Sequence, residues 1–260
     1  MAPSPQPPST ETIPAEYAVT EQDALRYSRH CMVGTVLLLG SYGAAVTGMI
    51  SPLALFGVVV LVLPRWMINV HELLHIYDET QLNRFICLMG VSPVPLSVLS
   101  LSYGEIRTLH FAHHQAPATA ADPDLYHIHG SWPRAVFNAF TAPEQSTLHW
   151  ITNQGLTWPL ALDLAIKLLV LGYLAWAGGL LFLWFWLSLR LVYGLGDLAF
   201  FRWVHHQNGE CGTFARPLPP SLMRLGELVF GTTVIQATLN HDIHHRHPYV
   251  AARYLAAVRG

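Results

Sequence analysis

Eight of the fifteen histidines fall in three short clusters, and their spacing could hold metal ions. The clusters are HELLH at 71–75, HFAHH at 110–114 and HDIHH at 241–245. Histidines three or four residues apart lie on one face of a helix, so each cluster can present two or three imidazoles together. Eight imidazoles exceed the four ligands of one zinc ion. They suit two ions of an imidazole-binding metal such as iron, copper or zinc.

Composition excludes several classes of protein. Only 12% of the residues are charged and 52% are apolar, whereas a soluble domain carries about 25% charged residues. A net charge of −2 lacks the basic footprint of a nucleic-acid-binding protein. The widely spaced Cys31, Cys87 and Cys211 form no disulfide framework, zinc finger or rubredoxin-like module. The sequence therefore indicates a membrane protein with a histidine-based site.

Apolar stretches of the length that crosses a bilayer, about 20 residues, position the three clusters. Prolines interrupt a fifth apolar segment, 86–104, which favours a re-entrant or interfacial segment because lipid cannot satisfy the freed backbone groups. The fold class predicted is all-α integral membrane, with four transmembrane helices in two hairpins and a helical cap that carries a histidine-rich dimetal site. The predicted spans are 31–50, 52–70, 159–177 and 180–198.

The distribution of arginines predicts the orientation. The short loops 48–52 and 175–179 contain no lysine or arginine, and ten arginines lie on the other side. By the positive-inside rule we expect that side, with both termini, the cap and all three clusters, to be cytoplasmic. Residues 1–20, rich in proline, serine and threonine, are expected to form a disordered tail without a signal peptide. Residues 21–260 are expected to form one domain.

The set HxxxH, HxxHH and HxxHH, combined with two hydrophobic hairpins, resembles the membrane fatty acid desaturase superfamily. This superfamily includes acyl desaturases, alkane hydroxylases, and carotenoid ketolases and hydroxylases. The resemblance covers roughly residues 30–250 and implies an additional histidine ligand between the last span and the third cluster. His205 and His206 are the candidates in FRWVHHQ, and His206 is preferred because it matches a WxxH-like stretch of the carotenoid enzymes. The metal ligands implied are His71, His75, His110, His113, His114, His206, His241, His244 and His245.

Carboxylates beside these histidines are candidates for an outer shell that accepts a proton from a ligand imidazole. Asp122-Pro-Asp124 resembles a DPD element of several superfamily members, although a plain turn has the same composition. Glu72 and Asp242 are candidates for the same role. The remaining histidines receive no role in the site: His30, His127, His129, His149 and His247.

The resemblance implies an O2-dependent oxidoreductase with two iron ions (Fe2+/Fe3+) that desaturates or hydroxylates an unactivated fatty-acyl chain. No haem-binding HPGG motif and no iron–sulfur cysteine set is present, so the expected electron donor is an external ferredoxin, rubredoxin or cytochrome. The HE start of the first cluster favours an acyl substrate over a carotenoid, for which HD is typical.

Three alternatives stay open. The DPD element and the HRHP at 245–248 also fit a carotenoid ketolase or hydroxylase of the same superfamily. A membrane zinc metallopeptidase would use His71 and His75 as ligands and Glu72 as general base, but it leaves the other two clusters without a role. A membrane protein that has lost catalysis and binds a lipid or a partner is the third.

Overall fold

The structure is a computed structural model that describes residues 13–76 and 99–259. Within these ranges the chain is mainly helical, with one two-stranded antiparallel ribbon in which His206–Gln207 pairs with Glu210–Cys211. The α-helices of the described ranges are α1 Glu21–Val46, α2 Pro52–Leu74, α3 Tyr103–Gln115, α4 Leu125–Ile128, α5 Trp132–Phe140, α6 Ala142–Gln154, α7 Trp158–Gly178, α8 Leu180–Asp197, α9 Pro220–Phe230, α10 Thr232–Leu239, α11 His241–Arg246 and α12 Leu255–Val258.

Three of the described helices are long and apolar enough to cross a membrane. They are α2, α7, and α8 together with its π-helical continuation Leu198–Trp203. The prediction of a helical membrane protein is thereby confirmed. The first predicted span, 31–50, falls on α1, which begins ten residues earlier and ends at Val46. Its apolar part, 31–46, is shorter than the usual span of about 20 residues, so α1 is not among the three.

Proline and glycine mark the two hairpin junctions. At the start of α2 the Ser51 hydroxyl accepts a hydrogen bond from Ala54 N (3.1 Å), and Pro52 occupies the first helical turn, as expected for a residue that lacks an N–H. Between α7 and α8, Gly179 adopts φ +53°, which glycine tolerates without a steric penalty. Both breaks lie where the sequence predicts them.

The four long helices give the bundle two distinct ends. At one end, Trp184 Nε1 donates to Pro52 O (2.9 Å) and the Tyr42 hydroxyl donates to Leu174 O (2.6 Å), so the α1–α2 and α7–α8 junctions lie together. A core that includes Leu38, Leu63 and Phe185 joins α1, α2 and α8. The end of α2 and the π-helical turn after α8 therefore lie at the other end of the bundle.

Residues 13–20 belong to the fold, so the predicted tail is wrong over this stretch. Val19 N donates to Tyr249 O (2.9 Å), and Ala251 N donates to Tyr17 O (2.9 Å). The Tyr17 and Tyr254 rings stack at 4.6 Å. Apolar side chains of this stretch, such as Tyr17, pack against the C-terminal segment. Composition alone does not reveal these contacts. Residues 1–12 lie outside the described residues, as does the predicted re-entrant segment up to residue 98.

Candidate metal centre

The structure brings all three histidine clusters to one end of the bundle. The first lies at the end of α2, the second on the last two turns of α3, and the third on α11. The helical periodicity turns the histidines of each cluster towards a common centre. Most of these side chains are buried, including His75, His113 and His244 at 1% exposure.

Five of the histidines form a first group, in which one ring nitrogen of each residue lies within 4.8 Å of those of the others. In its centre His110 Nε2 lies 2.7 Å from His75 Nε2 and 3.1 Å from His114 Nε2. The His244 ring closes the group at 4.4 Å from the His75 ring and 4.7 Å from the His71 ring, measured between centroids. Three separate elements thus contribute histidines to the first group.

Four histidines form a second group, in which one ring nitrogen of each residue again lies within 4.8 Å of those of the others: His113, His205, His241 and His245. His241 Nε2 lies 3.1 Å from both His205 Nε2 and His245 Nε2. The two groups adjoin, because the His114 and His245 rings stack with centroids 4.2 Å apart. The nine imidazoles therefore form two neighbouring cages, one from each group.

The chemistry of both cages fits metal ions. Histidine ligands about 2.0–2.1 Å from a metal ion lie about 3 Å from one another when they meet at right angles, close to the nitrogen separations observed. Both ring nitrogens of His71 and of His244 are buried without a hydrogen-bond partner among the described residues. Leaving such groups unsatisfied costs about 1–3 kcal/mol each. A metal ion bound in the first group would satisfy one nitrogen of each ring.

Hydrogen bonds on the outer side of two histidines fix which nitrogen faces the cage. His113 Nδ1 donates to the Asp122 carboxylate, with Nδ1–O distances of 2.9 and 3.0 Å. His205 Nδ1 donates to Gly212 O (2.9 Å). In both rings Nε2 is left as the metal-facing atom, the arrangement typical of ligand histidines. Burial opposes ionisation of Asp122, but hydrogen bonds from His113 and from backbone amides outweigh it and lower its pKa.

The structure replaces His206 with its neighbour His205 in the site. His205 is fully buried in the second group, whereas His206 begins the two-stranded ribbon and is half-buried outside both groups. The π-helical turn Leu198–Trp203 changes the helical register just before this pair. Asn208 and Gly209, both with positive φ, then reverse the chain. An Asn-Gly pair is a strong hairpin signal, and it is the feature of the sequence that could have separated the two histidines.

The other two acidic candidates have different surroundings. Glu72 Oε2 accepts hydrogen bonds from Ala252 N (3.1 Å) and from the Tyr27 hydroxyl (3.4 Å), and its other oxygen lies 3.5 Å from His71 Nδ1. A peptidase general base would have to face metal-bound water, so this engagement argues against the zinc peptidase alternative. Asp242 instead pairs with Arg246 and Arg259 on the surface.

An apolar cavity of about 460 Å³ reaches the histidines from within the bundle. It is lined along α2 from Phe56 to His71, a rise of about 22 Å at 1.5 Å per residue. Leu191 and Phe200 line it from the side of α8, and His110 lies at the metal-site end. The cavity therefore connects the interior of the apolar bundle with both cages.

Burial favours the neutral form of six of these histidines, and neutral imidazole is the form that binds metal. Burial, reinforced by neighbouring histidines, lowers the pKa of His75, His110, His241, His244 and His245 well below the usual value. For His205 the same causes lower the pKa to about 3.

We expect the metal-free protein to lose stability on acidification. An unfolded histidine takes up a proton below about pH 6.5, whereas the buried histidines resist protonation, so below that pH the unfolded state binds more protons. The free energy of unfolding should fall by at least about 1 kcal/mol from about pH 7.5 to about pH 5.5. Denaturant titration of the chelator-treated protein at both pH values measures it. A pH-independent value would contradict the neutral buried state.

Comparisons of the chain with known protein families, with curated proteins and with solved structures give no match. The resemblance to the desaturase superfamily therefore stays a prediction from the histidine pattern.

Proposed function

We propose that the protein is a membrane-bound, O2-dependent diiron oxidoreductase that desaturates or hydroxylates an unactivated fatty-acyl chain. The observation that supports this function best is the combination of two adjoining histidine cages with an apolar cavity that ends at them. Neither feature alone indicates the reaction. Together they join a site for redox metals to a site for a hydrocarbon chain.

The ligand set favours two iron ions over zinc. Zinc has no redox chemistry, and its structural sites are closed by four ligands, whereas five histidines form the first group. Two iron ions would supply activation of O2 and removal of hydrogen from an unactivated methylene, chemistry that amino-acid side chains do not provide. The residues that would hold them are His71, His75, His110, His114 and His244 for one ion, and His113, His205, His241 and His245 for the other.

The chain itself contributes binding, orientation and exclusion of water. Apolar side chains of α2 and α8 would bind a lipid chain by removing its surface from water. Because His110 and His113 line the same cavity, a chain that fills it has some of its carbons beside both cages. Asp122 holds the His113 ring in a fixed orientation and tautomer.

The membrane arrangement proposed has four spans, with the apolar part of α1 as the fourth. Both hairpin junctions lie at the end of the bundle opposite the histidines. Since these junctions carry no lysine or arginine, we propose, by the positive-inside rule, that the metal site and both termini are cytoplasmic. A ferredoxin, rubredoxin or cytochrome would deliver electrons there.

Expression in a host with defined lipids tests the function. The wild-type chain should introduce double bonds or hydroxyl groups into acyl chains, only in the presence of O2, and the His110→Ala, His244→Ala double variant should not. Purified wild type should contain about two iron ions, the number that two histidine groups can hold. It should also consume O2 when supplied with reduced ferredoxin and lipid.

The other outcomes are informative. Oxygenated carotenoids in a carotene-producing host, without altered acyl chains, would support the carotenoid alternative. One zinc ion retained in the double variant, with no O2 consumption by the wild type, would contradict a diiron oxidoreductase.

A further inference from the structure

One wall of the cavity carries three acid–base side chains that the proposed metal centre does not use. Asp124 precedes α4, His127 lies within α4, and Asp197 ends α8. All three are buried and line the cavity. We call Asp124, His127 and Asp197 the polar wall. Most other side chains around this cavity are apolar, so the polar wall needs a chemical explanation.

The His127 ring is held in one orientation. Its Nδ1 donates to Asp197 Oδ2 at 2.8 Å. The ring stacks on Phe201 at 4.7 Å and lies 3.9 Å from the Tyr126 ring, between centroids. These contacts leave Nε2 as the nitrogen available to a ligand. Preorganisation of this kind is typical of a binding group.

Asp124 faces His127 without bonding to it. The distance from Asp124 Oδ1 to His127 Nε2 is 3.9 Å, beyond the range of a hydrogen bond. Among the described residues, no hydrogen bond to the Asp124 carboxylate is present, although the side chain is buried. The long contact with His127 is the closest polar contact of this carboxyl with another side chain of the polar wall. One oxygen atom placed between the two side chains would bond to both.

The polar wall lies directly beside the second histidine group. An Asp124 carboxylate oxygen, an Asp122 oxygen and a His113 ring nitrogen all lie within 4.8 Å of one another. Asp124 N also donates to Asp122 Oδ1 at 2.8 Å. A ligand atom held by the polar wall would therefore fix its neighbouring atoms close to the metal ligands.

Burial and neighbouring charges shift the pKa values of two polar-wall residues. Burial opposes a charge on His127, but the carboxylates of Asp197, Asp124 and Asp122 outweigh it and raise its pKa. Burial raises the pKa of Asp124. His127 Nε2 and the Asp124 carboxyl group can each form a hydrogen bond with a ligand oxygen in the cavity.

We propose that the polar wall binds a hydroxyl or carbonyl oxygen of the lipid substrate and so determines which carbon lies beside the metal centre. The proposal deepens the proposed function, on which it rests for the identity of the cavity as the substrate site. A plain hydrocarbon would leave Asp124 and His127 Nε2 unpaired. A purely structural role explains the His127–Asp197 bond but not the Asp124 carboxyl that faces it unbonded.

Binding of decan-1-ol and decane tests the proposal without turnover. An unbranched chain slides along an apolar cavity, so its terminal hydroxyl can reach the polar wall. The purified protein with its metals, in lipid nanodiscs under argon, is titrated with each compound at equal mole fractions in the bilayer, and affinity is taken from the rise in unfolding temperature. We expect decan-1-ol to bind about 10-fold more tightly, equivalent to about 1.4 kcal/mol.

Matched variants separate recognition from structural support. Asp124→Ala should abolish the preference for the alcohol, and Asp124→Asn, which keeps a hydrogen-bonding amide, should restore most of it. The double variant His127→Phe, Asp197→Asn should also abolish the preference, and it leaves no single charge stranded. Ser146→Ala removes a hydroxyl from elsewhere in the same cavity and should leave the preference unchanged. Comparing each variant with the wild type cancels differences in how the two compounds partition into lipid.

The results distinguish this proposal from the proposed function. Equal binding of alcohol and alkane by the wild type would overturn it, as would an unchanged preference in both the Asp124→Ala and double variants. If the preference for decan-1-ol depends on the polar wall but the protein consumes no O2, the binding site would be supported and the oxidoreductase function contradicted. Lower stability of the variants without a change in preference would assign the wall a structural role only.

Discussion

Replacing His205 with alanine should remove the metal ion of the second group and abolish activity, whereas His206→Ala should do neither. His205 Nε2 lies 3.1 Å from His241 Nε2 within the second group, and the ring is oriented by Gly212 O. Its neighbour lies outside both groups. We expect iron content to fall from about two ions to about one, and product formation to fall at least about 100-fold, the upper range for loss of an outer-shell partner.

Elemental analysis of the purified variants, with product formation in membranes, measures both effects. His206→Ala is a close control for expression and purification, because it removes the same type of residue at the next position. Size-exclusion chromatography in detergent shows whether the variants are folded. Full iron content in His205→Ala, combined with loss of iron in His206→Ala, would restore the assignment made from the WxxH-like pattern.

Asp122→Asn should lower iron affinity about 10- to 100-fold, as expected when the partner of a ligand histidine is lost. The carboxylate accepts hydrogen bonds from His113 Nδ1, Ala118 N and Asp124 N on two oxygens. An asparagine has only one acceptor oxygen and turns an N–H towards at least one of these donors. The His113 ring then loses its fixed tautomer.

Asp242→Asn is the matched control. From the sequence Asp242 is an equal candidate, but it pairs with Arg246 and Arg259 at the surface. Surface ion pairs contribute about 0–1 kcal/mol, so iron affinity should stay near the wild-type value. Competition with a chelator of known affinity measures both variants. An equal loss of affinity in the two variants would show that Asp122 does not act through His113.

Local spacing predicts most of the histidines that the structure brings together. Within each cluster the intervals of three and four residues fix a common helical face, and that periodicity depends only on helix geometry. The apolar stretches locate α2, α7 and α8 to within a few residues, because length and hydrophobicity decide which segments are suited to lipid. All eight clustered histidines consequently lie in the two groups.

The polar wall illustrates what sequence reasoning missed. The sequence indicates no role for His127, because a single histidine outside a motif carries no signal of its own. Asp197 does carry a signal in the sequence, since an ionisable residue inside an apolar span usually faces the protein interior and has a partner. Only the fold places it 2.8 Å from a histidine seventy residues away.

The sequence by itself determined three of the four predicted spans and the common facing of the histidines within each cluster, since these follow from hydrophobic length and helical periodicity. The tertiary structure decided which of His205 and His206 enters the site, which carboxylate supports a ligand and how the two groups divide the nine imidazoles. These outcomes depend on contacts between residues distant in sequence and on the helical register after a π-helical turn, which local patterns do not encode.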